Sequence, residues 1–300
     1  SKIEQTARYK GEGKMAVYHV FYNPVAGDGN GETKARGLDS LLKGELHFYD
    51  LIKTEKVAEL VNGLAPSDAI VVAGGDGTLN HFINEVDCDS IPNPIYYYAT
   101  GTGNDFLRDI AGADEKGVVE IGKYLKHLPQ VEVNGKKYLF LNGVGYGIDG
   151  YCCEVGDKLR ETSDKPVNYA GIAIKGLLFH YKPTAAKVTV DGAEHSYRKV
   201  WIAPTMHGRF YGGGMMPAPR QRRDNEKGTV SVTLFHDSGK LHTLAVFPNI
   251  FKGTIEKSKK MIDVFEGKDI TVEFSGPRAL QIDGETILGV TKYHVICDRK

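Results

Sequence analysis

The chain has 300 residues and a formal net charge of +0, so no overall positive field would attract it to nucleic acid. Its 41% hydrophobic and 25% charged residues are typical of a globular protein, and the length suggests two domains. No apolar run reaches the roughly eighteen residues that cross a bilayer, and the four cysteines form no CxxC pair. We therefore expect a cytoplasmic protein with reduced thiols.

Three segments of the first half share one pattern. Each has a β-branched or aromatic strand, then a loop rich in Gly, Asn, Asp and Thr, then a helix-like stretch; they span 17–42, 69–86 and 95–112. Strands that alternate with helices predict βαβ units and a parallel sheet. Ligands of such sheets bind at the carboxyl ends of the strands, where all three loops should gather. We predict an α/β nucleotide-binding domain over residues 1–130.

The pattern changes after about Leu128 to short strand-like runs separated by turns, with one helical segment around 168–179. Five runs show period-two alternation or turn signals at their ends, which favours antiparallel pairing. We predict an all-β antiparallel sandwich over residues 131–300. An alternative for its last strand is that it packs against the first domain.

The stretch "AGGDGTLN" (73–80) places three glycines around a single aspartate at the end of a predicted strand. Gly74 and Gly75 allow a sharp turn, Gly77 permits main-chain conformations closed to other residues, and Thr78 can cap the next helix. Exposed amides and a positive helix end make an anion site, for which phosphate is the natural ligand. The simpler alternative is a strand–helix turn in which Asp76 bonds its own main chain.

Other phosphate-binding and catalytic motifs are missing or misplaced. The chain has no GxxxxGK[ST] loop, no HExxH and no GxSxG. A GxGxxG pattern occurs in "GYGIDG" (145–150), but it lies in the strand-rich half and no clear crossover helix follows it. A P-loop NTPase and a Rossmann dehydrogenase are therefore both disfavoured.

A series of motifs, in this order and at these separations, resembles the diacylglycerol kinase catalytic family. The motifs are "NPVAG" (23–27), "GGDGTLN" (74–80), "TGTGNDFLR" (100–108), "GGGMMPAP" (212–219) and "IDGE" (282–285). This family comprises soluble bacterial lipid kinases related to sphingosine and ceramide kinases, and more distantly to NAD kinases. GGDGT alone is shared with NAD kinases, whereas GTGND together with it points to lipid kinases.

The resemblance implies an ATP- and Mg²⁺-dependent kinase that phosphorylates a lipid hydroxyl, first of all that of diacylglycerol. It also implies a set of nucleotide contacts in the loops that follow the strands: Asn23, Pro24, Gly27, Thr54, Gly74, Gly75, Asp76, Gly77, Thr78, Leu79, Asn80, Thr102 and Gly103. Two of these have simpler interpretations, because Thr54 is a plausible helix cap and Asn23 a turn former before proline.

Phosphoryl transfer needs a carboxylate that accepts the proton of the attacking hydroxyl. Asp283 in "QIDGET" matches the residue regarded as the base in bacterial relatives, while sphingosine kinases assign that role to the match of Asp76. We predict Asp283 as the base, Asp76 as the organiser of Mg²⁺ and water, and Glu285 as the second candidate for the base. A type I′ hairpin turn is the simpler interpretation of Asp283 followed by glycine.

Three aspartates are candidate metal ligands: Asp76, Asp105 and Asp224. Asp105 could instead cap its helix. The chain departs from the family twice. His81 stands where relatives carry a glutamate, which Glu85 could replace, and Arg220 stands where an aspartate holds a structural Mg²⁺ in some relatives. That metal site is not carried over, and Asp224 is its only remaining candidate.

The second departure creates a basic cluster of Arg220, Arg222 and Arg223. It is either a solvated loop or a contact for anionic lipid head groups, assisted by "EKSKKM" (256–261). We expect two partners, ATP and a lipid substrate at the inner face of the membrane, and we expect no binding of nucleic acid. A homodimer is compatible with this prediction. Two alternatives stay open: an NAD kinase-like enzyme, and a catalytically weak regulator that binds lipid or nucleotide.

Overall fold

The computed structural model describes residues 15–26, 29–101, 104–112, 115–162, 167–176 and 180–298. Three predicted site residues, Gly27, Thr102 and Gly103, lie outside these ranges. The chain divides into two compact units, each considered by itself: unit 1 is Ser1–Asn104 with Asp114–Lys126, and unit 2 is Asp105–Ala113 with His127–Lys300. Among the helices in the described ranges, none has the length and apolarity needed to cross a membrane.

Unit 1 is an α/β unit, as predicted. Its elements are β1 (Val17–Tyr22), α1 (Gly31–Arg36), β2 (Glu45–Asp50), α2 (Val57–Asn62), β3 (Ala69–Gly74), α3 (Asp76–Glu85), β4 (Ile95–Ala99) and β5 (Val118–Glu120). The sheet order is β2-β1-β3-β4-β5; the first four strands are parallel and β5 is antiparallel to β4. Every residue of β3 is buried, as expected for a central parallel strand covered on both faces.

The strand order of unit 1 fixes where a ligand can bind. The chain leaves β1 towards β2 on one side, and it leaves β3 towards β4 on the other side. The two neighbouring strands β1 and β3 therefore form a topological switch point, and the crevice outside their carboxyl ends is the usual ligand site of such sheets. The loops after β1, β3 and β4 all start at this edge.

Unit 2 is dominated by one antiparallel sheet, so the predicted fold class is confirmed for both halves. Its helices are α4 (Asp105–Ala111), α5 (Ile148–Thr162), α6 (Tyr169–Lys175) and α7 (Lys240–Val246). Its strands are β6 (Gln130–Val133), β7 (Lys136–Leu139), β8 (Gly143–Tyr146), β9 (Thr184–Val190), β10 (Ala193–Ile202), β11 (Thr205–Met206), β12 (Val230–His236), β13 (Ile262–Gly267), β14 (Asp269–Ile282) and β15 (Glu285–Ile296).

The long strand β14 organises this sheet. Residues 270–274 pair with β9 and residues 280–282 pair with β8, so β14 closes a ring through β8, β11, β12, β10 and β9. β14 runs from "DITVEFSG" (269–276) into the first residues of "RALQIDGETIL" (278–288), and β15 begins after the hairpin, at Glu285. β15 pairs with β14 on one side and with β6 on the other, both within unit 2.

A helix does start within "GYGIDG", since α5 begins at Ile148, but it is not a crossover helix between parallel strands. Two glycines of this motif, Gly147 and Gly150, are required by close packing against neighbouring main chain. A Cβ on Gly147, whose φ is +107°, would lie 2.2 Å from the Trp201 carbonyl oxygen, and a Cβ on Gly150 would lie 2.1 Å from that of Ala279. Since β8 pairs antiparallel with β11 and β14, the motif is not part of a dinucleotide-binding βαβ unit.

Candidate active site

The GGDG turn joins β3 to α3 through one residue. Gly75 is the N-cap, with φ −99° and ψ −173°, and no side chain caps the helix, so the predicted capping by Thr78 is wrong. A Cβ on Gly74 would lie 2.3 Å from Thr78 Oγ1, because the threonine side chain folds back over the strand end. Gly77 lies within α3 and has no positive φ, so the conformational reason predicted for it is also wrong.

The loops after β3 and β4 touch main chain to main chain. The Thr100 amide donates to the Gly74 carbonyl at 2.9 Å, and the Tyr97 hydroxyl donates to the same carbonyl at 3.1 Å. A Cβ on Gly101 would lie 2.9 Å from Gly75 Cα. Any side chain at Gly101 would therefore force the two loops apart. The two loops therefore meet at glycine main chain beside the start of α3.

The loop after β1 is fastened to the same edge. The Asn23 amide donates to the Ala73 carbonyl at 3.3 Å, and the Asn23 side chain accepts from the Val25 amide at 3.1 Å. A Cβ on Gly31 would lie 2.0 Å from the Asn23 carbonyl oxygen, so α1 starts directly against the loop. The turn-forming interpretation of Asn23 thus describes its contacts, and its role towards a nucleotide stays a prediction, as does that of Pro24.

One cation at this edge was not identified from the sequence. Lys34 lies on α1 with its side chain exposed, and its Nζ donates to the Thr100 carbonyl at 2.9 Å. This contact places an ammonium group at the loop that follows β4. A lysine on an exposed helix face is common in any protein, so the sequence alone gave no signal for it.

The remaining predicted nucleotide contacts of unit 1 fall into two groups. Thr54 lies in the loop after β2, and α2 begins at Val57 with Lys56 as its N-cap, so the helix-cap alternative for Thr54 is wrong. Leu79 is fully buried, and Asn80 is buried with its carbonyl accepting from the Asn84 side chain at 2.9 Å. Leu79 therefore packs in the core, and the nucleotide roles of Thr54, Leu79 and Asn80 stay predictions.

Asp76 is the first residue of α3 and is half-buried at the carboxyl edge. A carboxylate at this position is stabilised by the positive end of the helix. Burial, with a smaller contribution from the charge of Asp76, raises the pKa of Tyr97 well above its usual value. The Tyr97 hydroxyl thus stays protonated and keeps its hydrogen bond to the Gly74 carbonyl.

Asp283 occupies the two-residue hairpin between β14 and β15, where Ile282 pairs with Glu285. Asp283 has φ +48° and Gly284 has φ +92°, as a type I′ turn requires. The Asp283 carboxylate accepts three amides: that of Leu141 at 2.6 Å on Oδ2, and those of Asn142 at 2.8 Å and Gly143 at 3.0 Å on Oδ1. The residue therefore has a clear structural task, and its catalytic role stays a prediction. Glu285, across the turn, is exposed.

Asp105 is engaged by the glycine motif at 212–214. Its side chain is buried at 3% exposure, and its Oδ2 accepts the Gly213 amide at 2.7 Å. Gly212, Gly213 and Gly214 have φ values of +59°, +83° and +113°, so three consecutive left-handed residues wrap the carboxylate. Burial raises the pKa of Asp105 to about 6, although the Gly213 amide and Arg108 oppose the rise. Its metal-binding role stays a prediction.

Asp224, the other metal candidate of unit 2, is exposed in a loop. Within the part of the chain that the structure describes, no group of three or more His, Cys, Asp or Glu side chains could hold a metal ion. The metal-binding role of Asp224 also stays a prediction.

The predicted basic cluster does not form one patch. Arg220 is 83% exposed and pairs with Glu256 at 2.8 Å, and Arg222 is exposed and donates to nearby main-chain carbonyls. The Arg223 side chain is only 4% exposed and pairs with Asp109 at 2.7 Å. Arg223 is therefore unavailable to lipid head groups, because the buried carboxylate of Asp109 requires a counter-charge.

Comparisons with known proteins agree with this fold. Residues 17–131 match the model of the diacylglycerol kinase catalytic domain, and residues 142–295 match that of the YegS C-terminal NAD kinase beta sandwich-like domain. The chain is 26% identical to a "Diacylglycerol kinase" of Mycobacterium tuberculosis over 77% of each chain, and 24% identical to "Putative lipid kinase YtlR" of Bacillus subtilis over 94% of this chain and 96% of that one.

Among solved structures, that of "a putative diacylglycerol kinase from Bacillus anthracis str. Sterne" superimposes with a TM-score of 0.66 at 20% identity, covering 96% of this chain and 94% of the other. At this identity the likeness establishes the shared fold. The two family models together span nearly the whole described chain. The chain belongs to the family of proteins that combine a diacylglycerol kinase catalytic domain with a YegS C-terminal NAD kinase beta sandwich-like domain.

Proposed function

We propose that the protein is an ATP-dependent lipid kinase that transfers the γ-phosphoryl group to a lipid hydroxyl, with diacylglycerol as acceptor and phosphatidic acid as product. Membership of the family supports a lipid kinase. The observation that carries the proposal is the glycine-to-glycine contact of the loops after β3 and β4, beside the start of α3. Such a surface suits a ligand that must approach the main chain closely, and a triphosphate is one.

The phosphates are proposed to bind at the carboxyl edge of the unit 1 sheet. Main-chain amides of residues 75–77 would donate to them, and the helix end adds a favourable field. Lys34, already directed at the loop after β4, would supply a positive charge. Phosphoryl transfer requires this kind of alignment and charge neutralisation more than covalent chemistry.

The residues at this edge fit the Mg²⁺ that accompanies ATP. Mg²⁺ is usually held by one or two carboxylates together with phosphate oxygens and water, so no dedicated cluster of acidic side chains is needed. Asp76, half-buried at the start of α3, is the residue that would hold it. When bound, the ion neutralises charge on the transferred phosphoryl group.

Asp283 is proposed as the group that orients the acceptor hydroxyl and takes its proton as the new phosphorus–oxygen bond forms and ADP leaves. Hydrogen bonds from main-chain amides are stronger to an ionised carboxylate than to a neutral acid. The three amides of 141–143 therefore favour the ionised form of Asp283 and fix the direction of its two oxygens. Glu285 is the second candidate for this role.

A lipid acceptor requires the enzyme to reach a membrane surface. We propose peripheral association at the inner face of the membrane from the cytoplasm, with Arg222 and the lysines of 256–261 as contacts for anionic lipids. Each such charge near a membrane contributes on the order of 1 kcal/mol. Co-sedimentation with phosphatidylserine vesicles that is lost on charge reversal of these lysines would support the contact, and salt-independent binding would contradict it.

The activity is tested with [γ-³²P]ATP and Mg²⁺, offered either diacylglycerol in mixed micelles or NAD in solution. We expect label in the organic extract as phosphatidic acid. Label in NADP with none in the organic extract would refute a lipid acceptor in favour of an NAD kinase-like enzyme. Nucleotide binding without transfer to any lipid in a total extract would instead favour a regulatory member of the family.

A further inference from the structure

We infer that Arg223 and Asp109 are positioning residues for the proposed reaction, because their buried ion pair fixes the main-chain segment that holds Asp283. The inference deepens the proposed function and rests on it. All of the residues involved belong to unit 2. The segment in question is 141–143, which supplies the three amides bound by the Asp283 carboxylate.

Arg223 donates hydrogen bonds to oxygens of this segment, whereas Asp283 accepts hydrogen bonds from its amides. Its Nη1 donates to the Leu141 carbonyl at 3.0 Å, and its Nη2 donates to Asn142 Oδ1 at 3.0 Å. Its Nε donates to Asp109 Oδ2 at 2.7 Å, and its guanidinium lies 4.7 Å from the centre of the Phe106 ring. The planar guanidinium thus uses each of its three nitrogens at once, which only arginine can do in this geometry.

Leu141 and Asn142 have partners on both sides. Each donates its amide to Asp283 and offers an oxygen to Arg223. The Asn142 carbonyl also accepts the amides of His207 and Gly208, at 2.9 and 3.1 Å. A shift of the segment would break several partly buried hydrogen bonds together, so we expect the orientation of Asp283 to depend on the position of Arg223.

Asp109 holds the guanidinium in place. Its Oδ2 accepts Arg223 Nε and its Oδ1 accepts Arg209 Nε, both at 2.7 Å. Burial alone would raise the pKa of Asp109, but Arg223 and Arg209 outweigh it and the pKa is lowered. Gly208 leaves the room required, since a Cβ there would lie 2.1 Å from Arg223 Nη2. Asp109 is therefore ionised at neutral pH and fully engaged by arginine.

The first test measures the segment without any assay of activity. Arg223→Lys keeps the charge but cannot reach Asp109, Leu141 and Asn142 together. Hydrogen–deuterium exchange of a peptide covering 140–144 should become about tenfold faster in R223K, while peptides of β1 and β3 stay unchanged. Arg222→Lys is the matched control, because this exposed neighbour contacts only local carbonyls, and it should leave exchange at the wild-type rate. Unchanged protection of 140–144 in R223K would overturn the inference.

The second test separates positioning from a general loss of structure. R223K should lower kcat about tenfold to 100-fold with the KM for ATP nearly unchanged, because a misaligned base affects the transition state. In an Asp283→Asn background the same change should cost little more, since Arg223 acts through Asp283. Equal losses in both backgrounds would refute the coupling. Arg198→Lys, at an exposed position of β10, should keep the wild-type kcat.

Failure of the R223K variant to fold and failure of the proposed function can each be told apart from failure of the inference. If R223K does not fold, Asn142→Ala removes one acceptor of the guanidinium and keeps the amide to Asp283; it should speed exchange of 140–144 in the same direction, and an unchanged rate would refute the inference. If the wild-type chain phosphorylates no lipid, the proposed function fails. The exchange result then decides by itself whether Arg223 fixes the segment.

Discussion

The carboxyl edge of the unit 1 sheet is built differently from the Asp283 clamp of unit 2. The clamp is defined as residues 109, 141–143, 223 and 283. At the edge, loops meet main chain to main chain because Gly75 and Gly101 carry no side chains. In the clamp, the half-buried Asp283 accepts amides of the segment 141–143, and the buried Arg223 donates to oxygens of the same segment. The edge brings glycine main chain against glycine main chain, whereas the clamp uses its donors to fix one carboxylate. The difference fits the proposed binding at the first region and the proposed alignment at the second.

The largest expected effect is at the clamp. Asp283→Asn should lower kcat by about 10³-fold, a typical loss for a general base. Asp269→Asn is the matched control, since Asp269 lies at the other end of β14 and is exposed, and its side chain pairs with His294 at the surface. Turnover is measured with radiolabelled ATP and diacylglycerol micelles. If D283N turns over at the wild-type rate, Asp283 is not the base.

The second largest expected effect is a loss in the free energy of unfolding when the charge of Asp109 is removed. Asp109→Asn leaves the buried Arg223 without its counter-charge, at a cost of about 3–5 kcal/mol. The ionised carboxylate contributes stability above its unfolded pKa, which is near 4, and loses it as pH falls through the lowered folded pKa. Urea unfolding should therefore show the full difference between wild type and D109N at pH 7 and a smaller one at pH 3. A difference that grows on acidification would contradict the ion pair.

At the edge, the effect should come from volume and not from charge. Gly101→Ala places a Cβ 2.9 Å from Gly75 Cα, where only main chain could give way. We expect a loss of about 1–3 kcal/mol in the free energy of unfolding and weaker nucleotide binding. Gly37→Ala is the control, because its Cβ would meet nothing within 4 Å and its φ is −58°, so it should be neutral or slightly stabilising. Equal behaviour of the two variants would show that the loops do not press on each other.

The smallest expected effect concerns Lys34. Lys34→Met removes the ammonium at the loop after β4 and should raise the KM for ATP about tenfold, with kcat changed less. Lys43→Met, another exposed lysine of unit 1, should leave the KM unchanged. A wild-type KM in K34M would remove Lys34 from the phosphate site.

The sequence predicted that the loops start at one edge of the sheet, because the signals for this arrangement are local. Strands β1, β3 and β4 are apolar runs that stop at glycine- or asparagine-rich loops, and parallel pairing then brings the loops together. The sequence misjudged how the glycines act. Gly74 makes room for the Thr78 side chain, and Gly77 has no unusual φ. Room for a distant neighbour cannot be read from a motif, since it depends on which atoms fold against it.

The clamp was not predictable from the same signals. Asp109 and Arg223 lie 114 residues apart in sequence, and Arg223 stands beside another arginine in a polar stretch that is typical of a solvated loop. The helix α5 was missed for a related reason, because "GYGIDG" continues a strand-rich region and its glycines are turn signals. In both cases tertiary contacts decide the outcome.

The central claim is that main chain at the carboxyl edge of unit 1 binds the phosphates of ATP. A crystal structure with a non-hydrolysable ATP analogue and Mg²⁺ tests it most directly. The account predicts β- and γ-phosphate oxygens within hydrogen-bonding distance of the amides of residues 75–77, with Lys34 Nζ at the phosphates. Phosphates bound elsewhere on the chain, with these amides facing solvent, would contradict it.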